Sequence, residues 1–353
     1  MVTSGLSSNE IYCLQLKGLT PNDLIIGNSV YALGVLGGLR SGMKAFFGGE
    51  LESYTQLFAE GRSLATDRML SEREKINAKG VTGVVSSLIF HPENIEFLSI
   101  GSGVDSVNNI QFFSSSASGQ ELYSQIDSNY IPVKFVFGNV AYSIGVMKSF
   151  TGGLKSFVKG EVKEFTDIFV KTRNLALDRI ISQARNVNAN SVLGIKTEIL
   201  TMNYNIEVEE MLMSGTASYN NNLSADYTQN PITCNLSAEE IWNISKMGYI
   251  PQKLMIGTSV YSLGAVGNFA AALRSFVKGE VSQLTQLIYS ARESAIQKIK
   301  DEASSIGADE VINIKTYVNS LTSPLTKDFN PPVKLFIAPI EYATFPKTNF
   351  TGI

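Results

Sequence analysis

The feature that most constrains this chain is that it is written three times. Gly27-Asn28-Ser29-Val30-Tyr31-Ala32-Leu33-Gly34 returns as Gly138-Asn139-Val140-Ala141-Tyr142-Ser143-Ile144-Gly145 and as Gly257-Thr258-Ser259-Val260-Tyr261-Ser262-Leu263-Gly264. The offsets are 111 residues (138 − 27) and 119 (257 − 138). They hold without adjustment at Ser7, Ser118 and Ser237, at Pro21, Pro132 and Pro251, at Arg62, Arg173 and Arg292, and at Ala78, Ala189 and Ala308. A period of this length is read before any local signal, because it sets the unit that must fold. The extra residues of the second interval fall after the aligned block, around 198–236. The expected units are residues 7–117, 118–236 and 237–345, with a tail at 346–353.

Each unit opens with Ser-x-x-Glu ahead of an apolar run: Ser7 to Glu10, Ser118 to Glu121, Ser237 to Glu240. This is a capping box, in which the Ser oxygen accepts a backbone N–H of the first turn and the Glu reaches back. Ile11-Tyr12, Leu122-Tyr123 and Ile241-Trp242 are the expected buried side of that short helix, and Gly18 and Gly248 its stop. A strand follows and runs into the shared Gly-x-x-x-Tyr-x-x-Gly, where a glycine inside a strand signals a bulge or a close backbone approach. A long helix begins after a shared Gly-Glu. Leu51, Tyr54, Leu57, Phe58, Leu64, Ala65 and Met69, with Val162, Phe165, Ile168, Phe169, Leu175, Ala176 and Ile180 in the second copy, form one apolar stripe at helical spacing. Two runs rich in β-branched residues finish the unit. The fold class is therefore α+β: three tandem α-β-α-β-β repeats, each a small sheet packed on one long helix. Ser114 to Ala117 and Asn220 to Asn235 read as polar linkers.

In motif order and spacing these copies resemble the YbjQ-like family, labelled "putative heavy-metal-binding". The resemblance rests on Gly248-Tyr249-Ile250-Pro251 leading to Gly257-Thr258-Ser259-Val260-Tyr261. It rests also on Phe-Val-Lys-Gly-Glu-Val at the long-helix start and on Ile306-Gly307-Ala308-Asp309-Glu310-Val311 at its end. It covers nearly the whole chain. The first copy departs most, with Lys79-Gly80 where the third has Asp309-Glu310. The resemblance implies a β-α-β-β domain similar in topology to dodecin-like subunits, and assembly into rings, pentameric for single-domain members. It brings no enzymatic activity and no defined set of metal ligands. Three repeats do not divide into a five-membered ring, so either the symmetry differs or chains share rings.

Composition narrows the function. The chain has 353 residues, 44% of them hydrophobic, and a net charge of −3 from 29 basic and 32 acidic residues. No basic block supports nucleic acid or an anionic membrane surface. No apolar run approaches the roughly 20 residues of a membrane helix, and Met1 to Gly5 has no signal-peptide pattern. Two cysteines, Cys13 and Cys234, sit at non-equivalent repeat positions and make no disulfide framework, which suits a cytoplasmic setting. One histidine, His91, cannot serve three equivalent sites, so a shared histidine-based nucleophile is excluded, and a soft-metal site lacks clustered ligands. Met211 and Met213 alternate on a strand as core residues do.

The shared polar residues are few. Glu50, Glu161 and Glu280 read as helix-start carboxylates rather than ligands, since negative charge is favoured there. Arg62, Arg173 and Arg292 follow 12 residues later, about 18 Å along a helix. They cannot pair with those glutamates inside one helix, which leaves pairing across a repeat or subunit interface, or anion binding. Gly34 to Gly42 is glycine-rich but lacks the Gly-Lys-Ser/Thr of a phosphate loop, and reads as a turned connection. Tyr31, Tyr142 and Tyr261 complete the repeat signature. The expectation is a non-enzymatic structural or scaffold protein without cofactor, whose partner is itself, a homo-oligomer closing into a ring or larger shell. The alternative is a small-ligand or metal-binding module with sites at repeat or subunit interfaces, near those tyrosines.

Overall fold

The computed structural model describes residues 2–32, 34, 50–106, 108, 110–142, 160–204, 206–262, 282–308, 310–316, 319–321 and 335–345. Most of the glycine-rich stretch (35–42), Glu280 and the tail 346–353 lie outside the described residues.

The first repeat runs α1 (Ser8–Gln15), β1 (Leu19–Ala32), α2 (Glu52–Lys75), β2 (Gly80–Phe90), β3 (Asn94–Ser106) and β4 (Phe113–Ser114). The second runs α3 (Gly119–Asp127), β5 (Ile131–Tyr142), β6 (Gly160–Glu161), α4 (Lys163–Asn186), β7 (Ser191–Tyr204), β8 (Ile206–Tyr219), the one-turn α5 (Asp226–Gln229) and β9 (Ile232–Thr233). The third runs α6 (Ala238–Lys246), β10 (Leu254–Ser262), α7 (Ser282–Ser305), β11 (Glu310–Thr316), β12 (Asn319–Leu321) and β13 (Leu335–Phe345). All three opening helices form the capping box, with Ser7, Ser118 and Ser237 as N-caps. The turn after each is left-handed, at Gly18, Asn129 and Gly248.

Each unit makes a three-stranded antiparallel core in the order first, third, second: β1-β3-β2, β5-β8-β7 and β10-β13-β11. One long helix of 24 residues lies across each sheet, about 36 Å at 1.5 Å per residue. The shared glycine of the first strand explains how closely it lies. A Cβ at Gly27, Gly138 or Gly257 would overlap the carbonyl oxygen of Ala65, Ala176 or Ala295. Those alanines are themselves fully buried, so strand and helix meet backbone to backbone. Met211 and Met213 are buried in the core of the second unit.

Two expectations need correction, and the linkers carry more structure than their composition suggests. Both linkers have buried parts, although 221–230 is largely exposed. Residues 113–114 and 232–233 add as parallel strands to β2 and β7, and Ser114, Ser115, Thr233 and Asn235 are buried. Their hydroxyls find partners, as where Ser115 Oγ meets Thr216 Oγ1 at 3.0 Å, so short polar residues are tolerated inside. First, Tyr12 is exposed, and Leu14 is the buried residue of α1. Second, Glu50 and Glu161 precede the helices. The N-cap residues are Leu51 and Val162, and the two glutamates pair in strand fashion with the next repeat.

Gly138→Ala is expected to destabilise the protein by about 1–3 kcal/mol through overpacking of β5 on α4. Thermal unfolding followed by circular dichroism reads the effect, and an unchanged melting temperature would contradict the close approach.

Candidate functional site

The shared polar residues converge on the seams where one repeat meets the next. At the first seam the Leu51 amide donates to the Ala141 carbonyl (2.8 Å), and the Ala141 amide donates to Thr55 Oγ1 (2.9 Å). At the second, the Val162 amide donates to the Val260 carbonyl (2.7 Å), and the Val260 amide donates to Thr166 Oγ1 (3.0 Å). The starts of α2 and α4 thus satisfy the free edge of the following repeat's first strand, an edge that would otherwise leave unpaired backbone groups.

The glutamates complete this contact. Arg179 Nη2 donates to Glu50 Oε1 at 2.7 Å while its Nη1 donates to the Asn139 carbonyl. Lys298 Nζ reaches Glu161 Oε1 at 2.5 Å and the Thr258 carbonyl at 3.0 Å. Arg179 and Lys298 occupy the same position of successive repeats, so one ion pair is built twice. Glu50 and Glu161 therefore serve as inter-repeat partners; Glu280 lies outside the described residues.

Arg62 is fully buried and makes a two-pronged pair with Glu210 of the second repeat, Nε to Oε1 at 3.1 Å and Nη2 to Oε2 at 2.7 Å. Its Nη1 donates to the carbonyl and hydroxyl of Ser86 at 3.1 and 3.0 Å. Planar guanidinium and carboxylate meet in the geometry that makes such pairs strong, with the two Nη1 hydrogens taken up by Ser86. At the second seam the strand register puts Ile337 where Glu210 stands in the first, since Ala141 faces Glu210 and Val260 faces Ile337. Arg173 is buried there and bonds the Asn174 side chain. Arg292 is exposed.

The tyrosines pack rather than converge. Tyr31 stands edge-on to Phe97 with ring centroids 5.8 Å apart, and Tyr142 edge-on to Phe169 at 5.5 Å. Tyr261 packs beside Leu287. Burial, and then the charge of Glu209, push the Tyr142 hydroxyl well above the ordinary phenol range. The opening helices meet in series. Lys17 Nζ lies 4.5 Å above the Tyr123 ring and pairs with Asp127 at 2.7 Å, and Trp242 Nε1 donates to Asp127 Oδ2 at 2.6 Å. These two contacts hold Asp127 below the usual carboxylate range.

A cavity of about 350 Å³ opens where the inter-repeat connections approach α3 and β7. Glu121, Lys196, Thr197 and Asn235 line it. Both amide atoms of buried Asn235 and the Thr197 hydroxyl lack a hydrogen-bond partner. Nothing in the repeat pattern pointed to this cavity, because Asn235 corresponds to Ser116 in the preceding connection.

Among the described residues no group of three or more His, Cys, Asp or Glu side chains is placed to hold a metal ion. His91 Nε2 is engaged with Glu96 at 2.8 Å. Burial pushes the Cys234 thiol up to about 12. Among the described residues no helix is long and apolar enough to cross a membrane.

Two outcomes follow from these geometries. Arg62→Met alone is expected to destabilise by about 3–5 kcal/mol, because Glu210 is left buried and unpaired. The double variant Arg62→Met with Glu210→Met should recover most of that loss in urea titrations, and equal stability of single and double variants would contradict it. In native protein at pH 8, Cys234 should resist a thiol-specific disulfide reagent until denaturant is added. Immediate reaction of Cys234 would contradict its burial.

The sequence profile of one family, described as "Putative heavy-metal-binding", matches three times, at residues 19–94, 124–220 and 247–326. An encapsulin nanocompartment protein of Mycobacterium tuberculosis is 31% identical over 228 residues, 61% of this chain and 84% of that protein. A UPF0145 protein of Helicobacter hepaticus is 33% identical over 99 residues, 28% of this chain and 94% of the relative. One of Saccharolobus islandicus is 36% identical over 72 residues, 20% and 63% respectively. With three matches along most of its length, the chain belongs to the YbjQ-like family, described as "Putative heavy-metal-binding".

Proposed function

We propose that this is a non-enzymatic structural protein that assembles through its repeats into a closed ring or larger shell, as a component of the cytoplasm. The observation that carries the reading is the destination of the shared polar residues. Thr55 and Thr166, Glu50 and Glu161, and Arg62 are used in seams between repeats, so the polar residues that the repeats share are engaged in packing one repeat on the next. The Mycobacterium tuberculosis relative, whose name places it with encapsulin nanocompartments, supports an assembly role. In this reading residues 7–117, 118–236 and 237–345 are the assembling units, and nucleic acid takes no part. Mass photometry at micromolar concentration tests it: particles of several chains are expected, and a particle of 38.4 kDa, one chain, would overturn it.

A second reading has one observation in its favour. The cavity beside Asn235, with its unpartnered buried amide, suits a small polar ligand, since a native buried amide ordinarily has partners. Native mass spectrometry of protein purified without added ligand should then show a bound small molecule of constant mass. Its absence, with Asn235→Ala leaving every measured property unchanged, would dismiss this reading.

A further inference from the structure

Positions that are equivalent in sequence are not equivalent in exposure, and among the described residues marked differences fall at the two ends of the chain. On the first strand, Phe135, Phe137 and Ala141 of the second repeat are buried, as are Leu254, Ile256 and Val260 of the third. Their counterparts in the first repeat, Leu24, Ile26 and Val30, are 42%, 47% and 55% exposed. The buried ones are covered by the preceding repeat: Phe135 and Phe137 pack with Ile25, Met69, Val81 and Val84. The opening helix repeats the pattern. Tyr123 and Trp242 contact the helix before them, and Tyr12 is exposed. β1 is an edge strand, and the pairing of Val30 with Glu96 matches that of Ala141 with Glu210. The backbone groups that Ala141 gives to Leu51 and Thr55 are therefore on the free edge at Val30.

The far end carries the complementary half. Thr55 and Thr166 are buried against the next repeat, and Thr285 is exposed. Arg62 and Arg173 are buried, and Arg292 is exposed. Val84 and Ile195 are buried, and Ile314 is 55% exposed. The charges match as well. Glu96 stands at the register position of Glu210 and is held by Asn28 and His91, each at 2.8 Å. Arg68 stands at the position of Arg179 and Lys298 and already donates to the Asn28 carbonyl at 2.7 Å, as they do to Asn139 and Thr258.

We propose that the third repeat of one chain docks on the first repeat of a second copy, reproducing the seam between repeats 1 and 2. In that interface Thr285 caps the Val30 amide and Arg292 takes the carboxylate of Glu96. Leu24, Ile26 and Val30 become buried. The contact is head-to-tail, so each chain offers one donor face and one acceptor face, and growth ends only when a ring closes. This rests on the self-assembly reading above and names the surface through which it occurs.

The test uses full-length chains with one face disabled. Glu96→Lys and Val30→Lys each block the first-repeat face at exposed or half-exposed positions, and Arg292→Glu blocks the third. Each variant, with wild-type circular dichroism and melting temperature, is expected to fall to the mass of one chain. Mixing Glu96→Lys with Arg292→Glu should yield particles of more than one chain, since one native face of each kind remains and the two reversed charges complement one another across the other seam. Masses unchanged by all three substitutions would overturn this interface while leaving self-assembly standing. A monomeric wild type would overturn both. Loss of assembly in variants of one face only, with no new species on mixing, would indicate a two-fold contact and overturn the head-to-tail arrangement.

Discussion

The structure depends on the free edge of each repeat's first strand. The long helix lies against that strand's neighbourhood through Gly27, Gly138 and Gly257, and the far edge is left with outward N–H and C=O groups. An unpaired edge beside apolar side chains is an aggregation hazard unless it is covered. Here the cover is the beginning of the preceding repeat's helix: a backbone N–H from Leu51 or Val162, a hydroxyl from Thr55 or Thr166, and a carboxylate bridging to the following helix. One small device satisfies backbone, charge and shape together. It acts only between repeats, which is why a single unit leaves part of its surface unfinished.

Energy and specificity divide between two kinds of contact at these seams. Apolar burial, led by Phe135 and Phe137 against Val81 and Val84, supplies the non-directional part. The Arg62–Glu210 pair supplies direction. Two ions without solvent contact gain little net stability over apolar residues of the same size, but a misplaced seam would leave one of them unpaired. At the second seam Ile337 holds the register position of that glutamate, and Leu254, Ile256 and Val260 are buried. The seams are alike in backbone and different in chemistry, a divergence that fusion of the repeats permits.

Much of the unit was legible in the sequence, because the signals are local. The capping boxes, the left-handed Gly18 and Gly248 and the long helices follow from residues a few positions apart, and the structure forms each of them. The shared strand glycine was read as a bulge or a close approach, and Ala65, Ala176 and Ala295 identify it as the latter. What escaped was non-local. Ser114 to Ala117 looks like a linker because its residues are small and polar, and only their hydroxyl partners on β8 make burial tolerable. The partner of Arg62 is 148 residues away on a hairpin longer than its counterpart, so fixed offsets do not align Glu210 with Glu96. Aligning those hairpins from their turns would have exposed the match. Tyr12 differs from Tyr123 and Trp242 because, among the described residues, no earlier helix packs against it.

An electron cryomicroscopy reconstruction of the assembled particle measures the central claim directly. The rotation and translation relating repeat 3 of one chain to repeat 1 of the next should equal those relating repeat 1 to repeat 2 within a chain, with Arg292 beside Glu96. A chain boundary with a different transformation, or with Leu24, Ile26 and Val30 facing solvent throughout the particle, would contradict it.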